Sequence, residues 1–225
     1  MNMFLQIPVQ HPENFSFAEC LRFLSRSDRE CLHYVVDGHL QKMIAVQEVP
    51  LLLDITYREG DDFLQVAVIP PAGVPAGITQ PAMEAAFEPV QALLTRWLHL
   101  DADLRPFYSF AAADRLLGPL ALAYHGLRLI GIPDLFEAIT WTVMGQQINL
   151  AFAYTMRRRF IETLGYSMEH AGRRHYLYPP PAVVAAVPPE VLAGMQFSRG
   201  KIQYIQHLAR LMAGGAFTAE MITAA

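Results

Sequence analysis

Gly131-Ile-Pro-Asp-Leu-Phe-Glu-Ala-Ile-Thr-Trp-Thr-Val-Met-Gly-Gln-Gln-Ile-Asn-Leu-Ala-Phe-Ala-Tyr-Thr-Met-Arg-Arg-Arg-Phe160 is the stretch on which the reading of the whole chain turns. Pro133 lacks the N–H that a first helical turn leaves unpaired, so it suits a helix start. Asp134 and Glu137 place negative charge beside the positive end of the helix dipole. Leu135, Phe136, Ile139, Val143 and Met144 then recur at helical spacing, with Trp141 off that stripe. Gly145 breaks the run. Asn149 is a good N-cap for a second helix from Leu150 to about Leu164, which Gly165 can end as a C′ residue. Between the helices stands Gly145-Gln146-Gln147-Ile148, two adjacent amides on a tight junction. Chemistry is expected to be served there.

Working outward, 225 residues that are 53% hydrophobic suffice for one large domain or two small ones. The apolar residues are dispersed, with no run near the ~20 residues of a membrane span. Met1-Asn-Met-Phe-Leu-Gln-Ile-Pro8 has no basic n-region and no cleavage-site pattern, so no signal peptide is expected. Cys20 and Cys31 make neither a disulfide framework nor a metal site. No His-x-x-x-His pair shares a helix, so neither metal nor cofactor is expected. The expectation is a reduced, cytoplasmic protein. Its net charge of −4 divides unevenly: residues 1–127 carry 8 Lys+Arg and 15 Asp+Glu, residues 128–225 carry 9 and 6. The second part is mildly basic at +3, which is compatible with DNA contact and does not by itself demonstrate it.

In chain order, residues 13–30 read as one amphipathic helix, with Ser16 and Glu19 at capping-box spacing and Phe17, Leu21 and Leu24 on one face. From Cys31 to Ile69 the period changes to two. Tyr34-Val-Val, the Asp37-Gly38 turn and Leu40–Val46 form one hairpin; Leu51–Tyr57, a turn at Glu59-Gly60-Asp61 and Phe63–Ile69 form another. The result is an antiparallel sheet of about four strands, with a fifth that the sequence leaves unplaced. Pro70 to Gly77 is a loop by composition. A helix from about Gln80 to Leu98, apolar at Met83, Phe87, Val90, Leu94 and Trp97, contains Pro89, which predicts a kink or a break. Helices are expected at 109–117, 120–124, 181–187 and 202–213, with 170–181 an irregular loop. The fold class is α+β over 1–106, a small antiparallel sheet with helices, followed by an all-α domain over 107–225.

Gly126-Leu-Arg-Leu-Ile-Gly-Ile-Pro-Asp-Leu-Phe-Glu137 followed by Met144-Gly-Gln-Gln-Ile-Asn149 resembles the DNA-3-methyladenine glycosylase II family of helix-hairpin-helix DNA glycosylases. Asp101-Ala-Asp-Leu-Arg-Pro106 and Phe197-Ser-Arg-Gly-Lys-Ile-Gln-Tyr204 fall in the family's order, and the likeness spans nearly the whole chain. The resemblance implies hydrolysis of the N-glycosidic bond of an alkylated base, such as 3-methyladenine, in duplex DNA. The nucleotide is then flipped out of the stack, and a residue of the Gly-Gln-X junction fills the gap. That role maps onto Gln147, with Gln146 beside it. Phe23 maps near a base-pocket aromatic of the family, and ordinary core packing fits it equally well. Arg199 and Lys201, at a helix start, are candidates for phosphate contact. Arg157-Arg158-Arg159 fan out around the helix, so a solvated flank is the default for them.

One departure accompanies the match. In the family a Leu-Pro-Gly-Ile-Gly-like hairpin follows the segment ending near Ala213, and the catalytic aspartate follows the hairpin. Here the chain runs Phe217-Thr-Ala-Glu-Met-Ile-Thr-Ala-Ala225, with no Gly-x-Gly hairpin and no Asp after it. The expectation is a chain truncated before those parts or a degenerate member, inactive as it stands, with no catalytic residue assigned. Two alternatives remain beside it: a non-catalytic duplex- or lesion-binding protein, and a structural fragment that does neither.

Overall fold

The structure, a computed structural model, describes residues 3–70 and 80–223. The chain forms two compact units, one of Met1–Asp28 with His33–Gly131, the other of Arg29–Leu32 with Ile132–Ala225. The division therefore falls at Gly131 rather than at 106, and four N-terminal residues belong to the helical unit. Two ties across residue 106, and one bond within the segment beyond it, explain the first shift. Tyr108 Oη accepts a hydrogen bond from Gly126 N at 2.8 Å. Ser16 N donates to Gly126 O at 3.0 Å. The buried Arg128 guanidinium donates to the carbonyls of Ala102, Gln10 and His11. Gly126 is required there, since its φ is +82° and a Cβ would stand 2.5 Å from Ser16 N.

The sheet unit contains five antiparallel strands, β1 (Met3–Pro8), β2 (His33–Val36), β3 (His39–Val46), β4 (Val49–Thr56) and β5 (Phe63–Ile69). Their spatial order is β1-β5-β4-β3-β2. The strand the sequence could not place is β1, which pairs with β5 so that Leu5 faces Val66. Alternation is strict in β5, where Leu64, Val66 and Val68 are buried. The Asp37-Gly38 turn has φ of +51° and +80°, both positive, as a type I′ hairpin turn requires. Helix α1 (Phe17–Leu24) is shorter than the expected 13–30: a 3-10 turn occupies Pro12–Asn14, and Ser25-Arg-Ser-Asp28 has no apolar face to continue it. Ser16 Oγ caps it, accepting from Glu19 N at 3.4 Å.

Helix α2 (Gln80–Leu98) continues unbroken past Pro89, which is exposed, and buries Val90, Leu94, Trp97 and Leu98 in the core of this unit. The Met83 side chain and residues 71–79 of the expected loop lie outside what is described. Helices α3 (Arg105–Ala112) and α4 (Leu117–Ala123) leave Phe110 and Leu122 exposed, and Leu116, the N-cap of α4, is exposed too.

The helical unit begins with α5 (Leu135–Gly145) and α6 (Leu150–Leu164). A two-stranded hairpin, β6 (Ser167–His170) with β7 (Arg173–Tyr176), occupies part of the segment expected to be irregular and is a small addition to an otherwise helical unit. Its turn is Ala171-Gly172, both at positive φ. Helices α7 (Pro181–Ala186), α8 (Pro189–Gly194), α9 (Arg199–Ala213) and α10 (Ala219–Thr223) complete it. The core joins Phe136, Met144, Met156, Phe160, Ile161, Leu192 and Ile205. Gly165 ends α6 in extended rather than left-handed backbone. It is needed for space, because a Cβ there would lie 2.3 Å from Leu177 O.

Candidate nucleic-acid interface

Three N-caps fix the helices around the Gly145–Ile148 junction. Asp134 is the N-cap of α5 and Oδ1 accepts from Glu137 N at 2.6 Å, which moves Pro133 outside the helix. Asn149 Oδ1 accepts from Phe152 N at 2.8 Å at the start of α6. Ser198 Oγ accepts from Lys201 N at 3.4 Å at the start of α9.

Between α5 and α6 the backbone turns within four residues. Gln146 N donates to Val143 O at a long 3.4 Å, and Gln146 itself is extended. Gln147 then stands at φ +57°, in the left-handed region that a non-glycine residue occupies at a cost. Both glutamines are exposed, while Ile148 is packed against the core of the unit. Leu150, the first residue of α6, is also exposed, a large apolar side chain three positions from Gln147. The junction thus presents two amides and a leucine to solvent.

Arg199 and Lys201 separate. Arg199 is exposed at the first position of α9. Lys201 instead donates from Nζ to Met144 O at 2.7 Å, in the last turn of α5. Burial pushes its ammonium below the ordinary lysine range. Its charge therefore lies against a helix C-terminus, where the carbonyls lack partners and the dipole is negative. Tyr204, exposed on α9 off the buried stripe of Ile202, Ile205 and Ala209, is an aromatic candidate that the sequence reading passed over. Its position off that stripe was the available signal.

Phe23 belongs to the sheet unit; the other four candidates belong to the helical unit. It is exposed on α1, not packed in the core, and the Arg26 guanidinium lies 3.9 Å from its ring centroid. The three arginines of α6 are not a uniform solvated flank. Arg157 is buried and pairs with Glu30 at 2.7 Å and Glu137 at 2.6 Å. Arg158 pairs with Glu162 one turn on, and Arg159 donates to Gln196. Trp141 packs in the unit with Tyr154 at 5.0 Å between centroids and Arg157 over its ring at 5.2 Å.

Residues 140–224, which contain the junction and α9, match the sequence model of the HhH-GPD superfamily base excision DNA repair proteins. Over 216 residues, 96% of this chain, it is 35% identical to the DNA-3-methyladenine glycosylase of Bacillus subtilis, covering 69% of that protein. The chain belongs to the DNA-3-methyladenine glycosylase family of the HhH-GPD superfamily. As a fold, this HhH-GPD chain is similar to the 3-methyladenine DNA-glycosylase of Archaeoglobus fulgidus, with a TM-score of 0.72 at 19% identity, covering 91% of this chain and 66% of that one. It is also similar to the 8-oxoguanine glycosylase/lyase of Clostridium acetobutylicum solved with double-stranded DNA, with a TM-score of 0.65 at 14% identity, covering all of this chain and 69% of that one. The chain thus spans about two thirds of the length of each of these three proteins. Among the described residues, no helix is long and apolar enough to cross a membrane.

Proposed function

We propose that this chain is the lesion-engaging part of a DNA glycosylase that removes alkylated bases such as 3-methyladenine from duplex DNA. The observation that carries the proposal is Gln147, an exposed residue held in left-handed backbone between two capped helices. Left-handed backbone alone is not the mark, since Asp37 and Ala171 adopt it in hairpin turns; Gln147 stands out because it is exposed beside Gln146 inside the segment that matches the base excision repair model. A base inside the stack is out of reach of hydrolysis, so it leaves the duplex at a cost of a few kcal/mol. Gln147 then occupies the gap, with Gln146 beside it reaching polar groups in the minor groove and Leu150 adding apolar contact. Arg199 meets a phosphate. The charge distribution supports contact on this side, since the helical unit carries about +2 and the sheet unit about −6 by their own boundaries. Phe23 is assigned to the base pocket as the exposed aromatic of α1.

An acid supporting positive charge on the sugar, or activating water, is the remaining requirement. No acid among these 225 residues is assigned that role. A polypeptide limited to them is therefore expected to prefer DNA containing an abasic site over intact duplex, and to release no methylated base from alkylated DNA. Its binding is expected to be weak and strongly salt-dependent. Gln147→Ala is expected to weaken abasic-site binding about tenfold, or ~1.4 kcal/mol. Unchanged affinity would remove the wedge, and measurable base release would overturn the absence of a catalytic acid. Binding with no release, in a protein whose gene continues no further, would favour the second reading, a non-catalytic lesion binder.

A further inference from the structure

The left-handed turn at Gln147 needs something to hold it, and the junction itself offers little. Gly145 does not supply the restraint: a Cβ at that position would meet nothing within 4 Å, so the residue is not wedged against a neighbour. Gln146 contributes one backbone hydrogen bond, at 3.4 Å. After the turn the chain is fixed by the burial of Ile148 and by the Asn149 cap. Before it, the fixed point is Met144, whose side chain is fully buried and whose carbonyl receives the Lys201 ammonium at 2.7 Å. Lys201 is itself anchored, since α9 buries Ile202, Ile205 and Ala209 and is capped by Ser198. The main-chain carbonyls of a last helical turn have no partner within their own helix, and Lys201 supplies one from 57 residues away.

We propose that Lys201 is a positioning residue, which fastens the last turn of α5 to α9 and so fixes the backbone from which Gln147 is presented to DNA. It acts through the junction and makes no phosphate contact of its own. Its ammonium is already directed at Met144 O, whereas Arg199, two residues earlier, is exposed and available. The DNA part of this proposal rests on the wedge role of Gln147; the junction-holding part does not.

The test uses the whole 225-residue chain with Lys201→Met, Lys201→Arg, Gln147→Ala and the Lys201→Met/Gln147→Ala double variant. Binding is measured to a duplex containing a tetrahydrofuran abasic analogue and to the intact duplex, at several salt concentrations. Backbone amide exchange in the last turn of α5, residues 143–146, is followed by NMR. Lys201→Met is expected to lose about as much abasic-site preference as Gln147→Ala, roughly tenfold, with no further loss in the double variant. Its salt slope should stay that of the parent, and exchange at 143–146 should accelerate several-fold while the sheet unit's amides are unaffected. Lys201→Arg, which keeps the charge and a donor, should retain the preference within about twofold. The proposal is overturned by additive losses, by loss with arginine equal to that with methionine, or by unchanged exchange in that turn. It is also overturned by a loss shared with intact duplex and a salt slope reduced by about one, the mark of a direct phosphate contact. If Gln147→Ala keeps its abasic preference, the wedge reading fails separately; accelerated exchange in Lys201→Met then still supports the holding role, and unchanged exchange ends it.

Discussion

Each unit buries one arginine and one cysteine, and the two arginines are satisfied in opposite ways. Arg128, in the sheet unit, meets main-chain carbonyls, those of Ala102, Gln10 and His11, and burial pushes its guanidinium down from the ordinary range. Arg157, in the helical unit, meets two carboxylates. Burial works against its charge too, but Glu30 and Glu137 outweigh it and push the guanidinium up. The first arginine ties loops together by hydrogen bonds to main chain, with its guanidinium 5.7 Å from the Phe15 ring centroid. The second joins three segments, residues 29–32, α5 and α6, through charge. A buried ion pair is a modest gain when complete and a severe loss when one partner is removed. The helical unit should therefore be the more brittle to single substitutions.

Arg157→Met breaks that comparison at its strongest point, leaving two carboxylates facing the interior with no cation. The expected loss is about 3–5 kcal/mol by urea unfolding, with Cys31 becoming accessible to alkylation before Cys20. A loss below ~1 kcal/mol would mean the triad is solvated and the contrast unfounded. Arg128→Met should cost less, about 1–3 kcal/mol, because it strands neutral carbonyls rather than charges. Equal losses in the two variants would erase the distinction.

The two thiols give the next test. Burial pushes Cys20 up to about 11 and Cys31 up to about 12, from an ordinary 9.0. Above pH 9 the unfolded chain releases thiol protons that the folded chain retains, so stability falls as pH rises. By pH 10 each thiol should account for ~1 kcal/mol of that fall. Replacing either cysteine by alanine should flatten the alkaline limb of a pH-stability curve; an unchanged limb would show that the thiol is not protected in the folded state. The smallest effect is expected at Gln147→Gly, which relieves the left-handed backbone and should stabilise the protein by about 0.5–1 kcal/mol. The same variant should lose abasic-site preference, so a destabilising result would mean that the turn is not strained.

Much of this organisation was legible in the sequence, and the legible parts share a scale. The Ser16 and Asn149 caps, the Asp37-Gly38 turn and the period-two strands each depend on residues one to four positions apart. Misreadings came where a local pattern has two physical meanings. Gly165 looked like a C′ residue and is instead an extended one in close approach to Leu177. Pro133 looked like a first-turn residue, but the Asp134 side chain took the cap. The Ala171-Gly172 hairpin was missed because its strands, Ser-Met-Glu-His and Arg-Arg-His-Tyr, are polar and show little alternation.

The sequence by itself determined the two-part class, the helix boundaries around the junction, and the pair of glutamines on which the proposed function rests. Tertiary structure alone decided which charges serve packing and which face solvent. Arg157 and Arg159 are near neighbours on one helix, yet the former is buried against Glu30, 127 residues away, and the latter reaches Gln196. Lys201, a candidate for phosphate contact two residues from Arg199, donates from its ammonium to Met144 O, 57 residues away. A charged side chain paired across the fold carries no local mark of its partner, because Coulomb attraction acts across space while sequence patterns record only what lies within a turn of helix or a step of strand.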